Sequence, residues 1–494
     1  MMKFQFNLIK EWPPLAWAAQ CSNTNFLINV YHGSRVEVRD SWFCEAVWDS
    51  DYEAGDFDLT DAVFGSGCRL RDESAIFVSS GTTVDRLQTL NYPGGVWVSN
   101  SLVCLMTVTD AKPDLTNTFY NLQFDSIIKG LKEYKRELKV SDGTIQFIYF
   151  DNLKWNGEIL SKVEKPNKTR NLSSFTKYHE FLLSSLKSIS ANMTSKNRTF
   201  SNTMLGTLSS GYDSSTNIVL AHQVGLNKAV SFTTARGGDA DDGRKLADLL
   251  GIQLTLIRRN QWRSRNLIEV PFIAADAKGE DVYFSAAEAF LSGSVLLTGF
   301  HGDKMWAKQT AALDASIVRG DRSGLSLTEY RLIAGFIHLP IPFMGVRQIA
   351  EINRISNSEE MQPWDIPGDY SRPICRRIVE GAGVHRNHFG MKKKAVSVLL
   401  GSSDEIPPLI RENITEWLHK HESNWQSKKE AAPYLQVKRI ERFQIPIKVL
   451  NKGVRLASRI SPAPVKSYLL RFSRKLNRLN KGAYLIRYNF SMGY

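Results

Sequence analysis

The sequence predicts an α/β protein in which a β-rich N-terminal part precedes a C-terminal part built on a parallel sheet. Short β-branched and aromatic runs, separated by Gly, Asp and Asn, fill residues 1 to about 165. From about residue 200 onward, strand-like apolar runs alternate with helix-like segments, which is the pattern of βαβ units. The 494 residues are enough for two domains with a large core.

The N-terminal part, residues 1–165, is predicted to be a sandwich-like or α+β domain. One helix is expected over residues 122–134, and short strands are expected at residues 26–31, 75–78, 96–98 and 144–150. A polar, proline-containing stretch at residues 165–172 is predicted to be the linker.

The C-terminal part, residues 173–435, is predicted to begin with an amphipathic helix over residues 173–190. Strands are then expected at residues 204–208, 229–233, 253–257 and 293–297. Helices are expected over residues 214–222, 241–251, 325–342 and 372–380, the third breaking at 338–342. In such alternation, ligands bind at the carboxyl ends of the strands.

The turn at residues 209–215, Ser-Ser-Gly-Tyr-Asp-Ser-Ser, lies between a predicted strand and a predicted helix. A strand, a tight turn of small residues and a helix N-terminus present backbone N–H groups to an anion. Gly211 allows close approach of the backbone, and Asp213 beside an anion suggests a shared Mg²⁺ ion. Four hydroxyls are candidates to donate to phosphate oxygens: those of Ser209, Ser210, Ser214 and Ser215. A serine-rich turn that only caps a helix is the alternative.

This turn resembles the Ser-Gly-Gly-x-Asp-Ser-Ser pyrophosphate loop of the PP-loop ATP pyrophosphatases, most closely in the asparagine synthetase branch, which includes the beta-lactam synthetases. Ser210 replaces one glycine of that loop, and no Gly-Lys-Ser/Thr triplet of the Walker type occurs. The resemblance implies an adenine nucleotide alpha hydrolase-like domain that binds ATP and Mg²⁺. The resemblance also implies that the strand that contains Ser231 and Phe232 passes under the adenine, as the corresponding strand does in the family.

A second motif, residues 299–304 (Gly-Phe-His-Gly-Asp-Lys), resembles the family's Gly-Glu-Gly-x-Asp-Glu segment. The resemblance places Gly299 and Gly302 on the phosphate side and makes Asp303 the second Mg²⁺ ligand. Two acids of the family pattern are absent, with Phe300 and Lys304 in their places. We expect His301 either to take over acid–base work, since imidazole titrates near neutrality, or to have a structural role only.

Three consecutive lysines follow a glycine-marked loop, where the family carries a lysine that stabilises the pentacoordinate phosphate and the leaving pyrophosphate. The resemblance favours Lys392, then Lys394, as catalytic; Lys393 is expected to face away if the segment is helical. A solvated run of lysines is the alternative.

The likeness extends weakly to the N-terminal part. In glutamine-dependent asparagine synthetases this part is a four-layer glutaminase whose nucleophile is the cysteine after the initiator Met. Met2 stands at that position, and the first cysteine is Cys21. We therefore expect a degenerate glutaminase-like domain without hydrolytic activity, with an unrelated β-rich domain as the alternative.

The function that the resemblance implies is that of an ATP-dependent, AMP-forming ligase. It would adenylate a small-molecule or glycan carboxylate and transfer it to free ammonia, to an amine on a second substrate or to an amine of the same molecule. Two alternatives stay open: a PP-loop enzyme of the thiolation or nitrile-forming type, which usually brings a CxxC or zinc cluster, and a non-catalytic scaffold.

Charge and cysteine content add three expectations. Residues 436–494 hold fourteen Lys or Arg and one acid, Glu441, so this segment carries the whole net charge of +13. Its interleaved apolar residues favour a basic amphipathic helix on a membrane surface or on the protein's own body, and make nucleic acid the less favoured partner.

Five scattered cysteines, no signal-like N-terminus and no run of about 18 apolar residues predict a cytoplasmic protein.

Overall fold

The structure, a computed structural model, describes residues 2–112, 121–234, 241, 243–258, 260–264, 279–308, 313–367 and 370–390. These residues form a mixed α/β protein with a β-rich N-terminal region and a C-terminal region on a parallel sheet. The coarse fold class predicted from the sequence is confirmed.

The described strands of the N-terminal region form two sheets. The first runs in the order β1-β3-β2-β9-β8-β11-β10 and the second in the order β13-β12-β7-β6-β5-β4. Neighbouring strands are antiparallel except for the parallel pair β1 and β3. The strands are β1 (Lys3–Leu8), β2 (Trp17–Ser22), β3 (Leu27–His32), β4 (Glu37–Arg39), β5 (Trp42–Trp48), β6 (Val63–Arg71), β7 (Ser74–Val78), β8 (Leu87–Tyr92), β9 (Gly95–Ser99), β10 (Glu137–Val140), β11 (Gly143–Ile148), β12 (Asn152–Trp155) and β13 (Leu160–Val163).

The two sheets share one apolar core because alternate residues of each strand face the other sheet. Trp17 on β2, Phe43 on β5 and Phe77 on β7 are fully buried there, with the Trp17 and Phe43 rings in edge contact at 5.1 Å. Two helices, α1 (Leu102–Thr109) and α2 (Asn121–Asp125), cover the outer face of the first sheet.

The C-terminal region is organised around a parallel five-stranded sheet in the order β16-β15-β14-β17-β18. Helices connect its strands, as the βαβ pattern predicts. In chain order the elements are α3 (Phe175–Met193), β14 (Thr203–Thr207), α4 (Tyr212–His222), β15 (Lys228–Phe232), α5 (Arg244–Leu250), β16 (Gln253–Ile257), α6 (Glu280–Phe284), α7 (Glu288–Leu291), β17 (Ser294–Thr298), α8 (Gly302–Met305), α9 (Leu327–Ala334), β18 (Ile337–Pro340), α10 (Ile349–Ser356) and α11 (Pro373–Gly381).

Two predicted helices are wrong in their second half. The helix expected over residues 122–134 is an α-helix only to Asp125 and continues as a 3-10 helix over Ser126–Lys129. The helix expected over residues 325–342 ends at Ala334, because Gly335 adopts a left-handed conformation with φ of 76°. The chain then forms β18, the edge strand beside β17. A short apolar run that holds His338 and Pro340 fits an edge strand, where the missing N–H of proline costs little.

Polar contacts hold the segment at residues 165–172 against the N-terminal region. In the segment predicted to be a linker, Lys165 is 1% exposed and donates from Nζ to the Ser79 carbonyl and to Asn152 Oδ1, each at 2.8 Å. Arg170 pairs with Asp61 of the N-terminal region. The polar composition of this segment therefore reflects ion pairs and hydrogen bonds as well as solvent exposure. Within the described residues, no helix is both long and apolar enough to cross a membrane.

Candidate functional site

Two turns meet at the carboxyl end of the parallel sheet. One follows β14 and leads into α4, and the other follows β17 and leads into α8. Because β14 and β17 are adjacent and parallel, their turns lie at the same edge of the sheet. The contact between them is too close for side chains: a Cβ on Gly302 would lie 2.6 Å from Asp213 Oδ1, and one on Gly299 would collide with the Asp213 backbone. Glycine is therefore required at both positions of the second turn.

A cavity of about 400 Å³ opens at this edge, a size in the range of small-molecule sites. The described residues that line it include Ser209, Gly211, Asp213, Ser214, Phe232, Gly299, His301 and Asp303, which the sequence predicts as site residues. Of the other predicted residues that the structure describes, Ser210, Ser215, Ser231 and Gly302 are outside this lining.

Asp213, in the first turn of α4, forms an ion pair with Arg372. Arg372 is buried beside two rings, with its guanidinium 6.0 Å from the Tyr212 centroid and 5.5 Å from the Tyr370 centroid. The carboxylate of Asp213 contributes to raising the pKa of Arg372 above its ordinary value, although burial opposes this. Asp303 lies in the first turn of α8, next to the glycine that touches Asp213, so the two carboxylates flank one junction.

The serines of the first turn divide into two groups. Ser209 and Ser214 line the cavity, and their hydroxyls are 2.7 Å apart. Ser210 instead donates to Asp241 Oδ1, from its N–H at 3.0 Å and from its hydroxyl at 2.6 Å. Ser215 is fully buried, and its hydroxyl donates to the Ser209 carbonyl at 3.2 Å. Ser210 and Ser215 therefore hold the shape of the turn, whereas Ser209 and Ser214 present hydroxyls to the cavity.

His301 has unusual geometry for a non-glycine residue. Its φ is 75°, in the left-handed region that β-carbon sterics disfavour, and such strain concentrates at functional sites. The ring is stacked on Phe343 at 4.8 Å and is 3% exposed, and neither ring nitrogen has a hydrogen-bond partner among the described residues. Burial and the nearby charge of Arg319 lower the pKa of His301 to about 3. The imidazole is therefore neutral near pH 7 and does not titrate near neutrality, as acid–base work by His301 would require.

One wall of the cavity is aromatic. The Phe232 ring is in edge contact with Tyr283 at 4.9 Å and with Phe284 at 5.5 Å. Side chains alternate along β15, so Phe232 faces this cavity while Ser231 lies among buried residues, and its hydroxyl has no hydrogen-bond partner in the described structure. An apolar aromatic surface of this kind suits the packing of another planar ring.

Several residues that line the cavity have no functional signal in the sequence. The sequence marks Arg372 only as the first residue of a predicted helix, and Asp241 only as part of the start of another, which the structure places at Arg244. Glu280 and Asp321 follow no recognisable motif. They come from distant parts of the chain, so only the fold brings them to the cavity.

Lys392 and Lys394 lie outside the described residues. The last described residue, Gly390, contacts the first turn directly: its N–H donates to the Ser210 carbonyl at 2.8 Å. A Cβ on Gly390 would collide with the Tyr212 ring. Gly390 therefore lies beside the turn at residues 209–215.

The cysteines and Met2 are core residues. All five cysteines are buried, and burial raises the pKa of every one, to about 12 for Cys44 and Cys104. A hydrolytic cysteine needs an accessible thiolate with a lowered pKa. Met2 is 2% exposed and belongs to the core between the two N-terminal sheets.

No family model matches the chain, and no curated protein matches it. The chemistry of the site therefore has to be argued from its geometry.

The donor set fits Mg²⁺ in the presence of a polyphosphate. Carboxylate oxygens are preferred Mg²⁺ ligands, and in nucleotide sites one or two carboxylates act together with phosphates and water. No cluster of three or more metal-binding side chains occurs in the described part of the chain, so phosphate oxygens would have to complete such a site. The described lining holds five carboxylates and one Arg or Lys, Arg372.

Proposed function

We propose that the chain is an ATP-dependent ligase that activates a carboxylate as its adenylate and forms an amide bond, in the manner of asparagine synthetases but without glutamine hydrolysis. The observation that carries the proposal is the glycine-mediated junction of the two turns, which sets Asp213 and Asp303 at one cavity, at the carboxyl ends of adjacent parallel strands.

ATP supplies the activating adenylyl group, and Mg²⁺ would screen its phosphates. On the protein side, the N-terminus of α4 and the hydroxyls of Ser209 and Ser214 offer donors to phosphate oxygens. Asp213 and Asp303 would hold the metal ion. Arg372 neutralises Asp213 here and can donate to a phosphate from the same position.

The aromatic wall made by Phe232, Tyr283 and Phe284 would bind the adenine, since planar rings pack well on it. Lys392 or Lys394, a few residues beyond the contact between Gly390 and the turn, would stabilise the leaving pyrophosphate. The buried cysteines and the core position of Met2 support the absence of glutaminase chemistry.

A non-catalytic scaffold is the second candidate. It is favoured by the polar side chains of the first turn, which already have protein partners: Ser209 pairs with Ser214, and Asp213 pairs with Arg372. A thiolation enzyme is favoured by no specific feature, because the thiols are buried and no CxxC occurs.

An ATP–pyrophosphate exchange assay separates these functions. Pools of small carboxylates and carboxylate-bearing glycans are tested with Mg²⁺ on the wild type, on Asp213→Asn and on Glu351→Gln, a half-exposed control on α10. A ligase exchanges pyrophosphate only with an acceptable carboxylate, loses exchange with Asp213→Asn and keeps it with Glu351→Gln. Exchange that survives in Asp213→Asn would refute the site assignment, and failure of the wild type to bind ATP would favour the scaffold.

A further inference from the structure

One loop of the C-terminal region, the cavity loop at residues 316–324, forms part of the cavity wall. Its residues Asp321 and Ser323 line the cavity. A Cβ on Gly320 would lie 2.5 Å from Asp303 Oδ2, so this glycine lets the loop pack directly against the proposed metal ligand. The conformation of the cavity loop therefore helps to set the position of the Asp303 carboxylate.

The cavity loop also packs on the N-terminal region, against a bracing segment at residues 125–131. The Leu131 N–H donates to the Ser316 carbonyl at 2.6 Å, and the Arg319 N–H donates to the Ile128 carbonyl at 2.9 Å. Backbone hydrogen bonds therefore join the two segments at two points, which are three residues apart in the loop.

Between these two points, Ile317 has a backbone conformation that a β-branched residue rarely adopts. Its φ is 58°, and its side chain is 1% exposed in the apolar core. Gly130 of the bracing segment meets the loop here: its φ is 87°, and a Cβ on it would lie 2.5 Å from the Ser316 carbonyl oxygen. Strain of this kind persists only where surrounding contacts hold it, and it is typical of functional sites. The bracing segment supplies such contacts.

An ion pair joins the two segments next to the residues that line the cavity. Arg322 lies between Asp321 and Ser323 in the loop, and its guanidinium is 2.9 Å from Asp125 Oδ2. The side chain of Asp125 is 5% exposed and that of Arg322 is 32% exposed. Solvent therefore screens this pair less than it screens a surface pair.

We propose that Asp125 and Arg322 are positioning residues of the ligase site, and that the N-terminal region acts through them as a brace for the cavity loop. This inference rests on the proposed function for its link to ATP, and it gives the N-terminal region a role other than glutamine hydrolysis. Neither residue lines the cavity; the ion pair acts on the site through the loop that packs against Asp303. Loss of the pair frees the loop and weakens Mg²⁺-dependent ATP binding.

Acidification should break this ion pair without weakening the fold through the same group. Burial raises the pKa of Asp125 to about 6, although Arg322 opposes the rise. Among the described groups, Tyr149 also interacts with Asp125, and burial raises the pKa of its phenol, which stays neutral. Tyr149 in turn interacts with the cations of Arg86 and Arg319. As pH falls through about 6, the Asp125 carboxyl is protonated and the pair is lost. Because the folded state then binds more protons than the unfolded state, this carboxyl does not lower the stability of the protein on acidification.

Hydrogen exchange of the full-length protein, without any ligand, measures how firmly the cavity loop is held. At pH 8, Asp125→Asn and Arg322→Met should each lower the protection of the loop amides by about fivefold or more, a typical size for coupling between two sites. Arg322→Lys keeps the charge and should lose less. The matched control is Lys132→Met, because Lys132 and Asp314 form an ion pair beside the same two segments but are 72% and 52% exposed. That variant should keep wild-type protection.

The same measurement at pH 5 gives a readout that simple destabilisation would not produce. The wild-type loop should lose protection at pH 5 and reach the level of Asp125→Asn, whose own protection factors should be alike at pH 5 and pH 8. Urea unfolding checks that every variant is folded. A wild-type loop that keeps its protection factors at pH 5 would overturn the proposal.

Calorimetry with ATP and Mg²⁺ tests whether the brace acts on the site. Asp125→Asn and Arg322→Met should bind ATP about fivefold or more weakly than the wild type, and Lys132→Met should bind it equally well. Unchanged loop protection in both variants, or wild-type ATP affinity in variants whose loop has lost protection, would each overturn the proposal. Absence of ATP binding by the wild type would instead refute the proposed function, and hydrogen exchange would still decide whether the N-terminal region braces the loop.

Discussion

Arg331 is the residue whose replacement should destabilise the protein most clearly. It lies on α9, is 1% exposed and reaches into the N-terminal region. It donates to Glu45 at 2.7 and 3.1 Å and to Asp85 at 2.8 Å, and both acids are 2% exposed. We expect Arg331→Met to leave two buried carboxylates without their cation.

The expected cost is about 3–5 kcal/mol in the free energy of unfolding, the range for breaking a buried ion pair from one side. Arg354 on α10 provides the control. It is 77% exposed and lies 3.6 Å from Glu351, so Arg354→Met should cost about 0–1 kcal/mol. The Glu45→Gln/Arg331→Met double variant should recover part of the loss, because only Asp85 then stays unpaired.

The pH dependence gives a second check. Burial already raises the pKa of Asp85, and Arg331 counteracts this rise. Without Arg331, the folded-state pKa of Asp85 should lie well above its unfolded value of about 4. The contribution of Asp85 to the stability of the variant is then most favourable at low pH and is lost as pH rises through the raised pKa, because the folded state binds more protons.

Urea unfolding monitored by tryptophan fluorescence and circular dichroism, at pH 5 and pH 8, measures these differences. The deficit of Arg331→Met relative to wild type should be larger at pH 8. A deficit no larger than that of Arg354→Met, or one that grows on acidification, would refute the reasoning.

Three further predictions concern chemistry and localisation. Pure protein should release no glutamate from glutamine, and release that any one cysteine-to-serine substitution abolishes would contradict this. Lys392→Ala or Lys394→Ala should lower kcat by at least about tenfold and spare KM for ATP, with Lys393→Ala as the control; the opposite pattern in steady-state kinetics would refute the assigned role. Full-length protein should pellet with anionic vesicles at low salt, whereas a chain that ends at Leu435 should not; equal pelleting would exclude membrane binding through the basic segment.

The sequence predicts the strands and helices whose own residues show an apolar pattern. The strands at β14, β15, β16 and β17 and the helix α4 occur within one or two residues of their expected positions. The chemistry of the first turn could also be predicted, because Gly211 lies between β14 and α4 and Asp213 lies in the first turn of that helix. The β18 strand was missed, since a four-residue apolar run next to a helix carries no period of its own.

The site was only partly predictable for a physical reason. The roles of Ser210 and Arg372 depend on partners 31 and 159 residues away, which no local pattern encodes. Similarly, the sequence gives His301 the ordinary properties of imidazole, whereas its burial against Phe343 keeps the ring neutral. Contacts and desolvation of this kind exist only once the chain has folded.

The most direct test of the central claim is the effect of Mg²⁺ on ATP affinity. Calorimetry with and without Mg²⁺ is carried out on the wild type, Asp213→Asn, Asp303→Asn and the Glu351→Gln control. If the two turns bind a metal–triphosphate complex, Mg²⁺ should raise the ATP affinity of the wild type and the control by at least about tenfold. Both Asp variants should lose that dependence on Mg²⁺. Wild-type Mg²⁺ dependence in both Asp variants, or no ATP binding by the wild type, would contradict the assignment of this cavity.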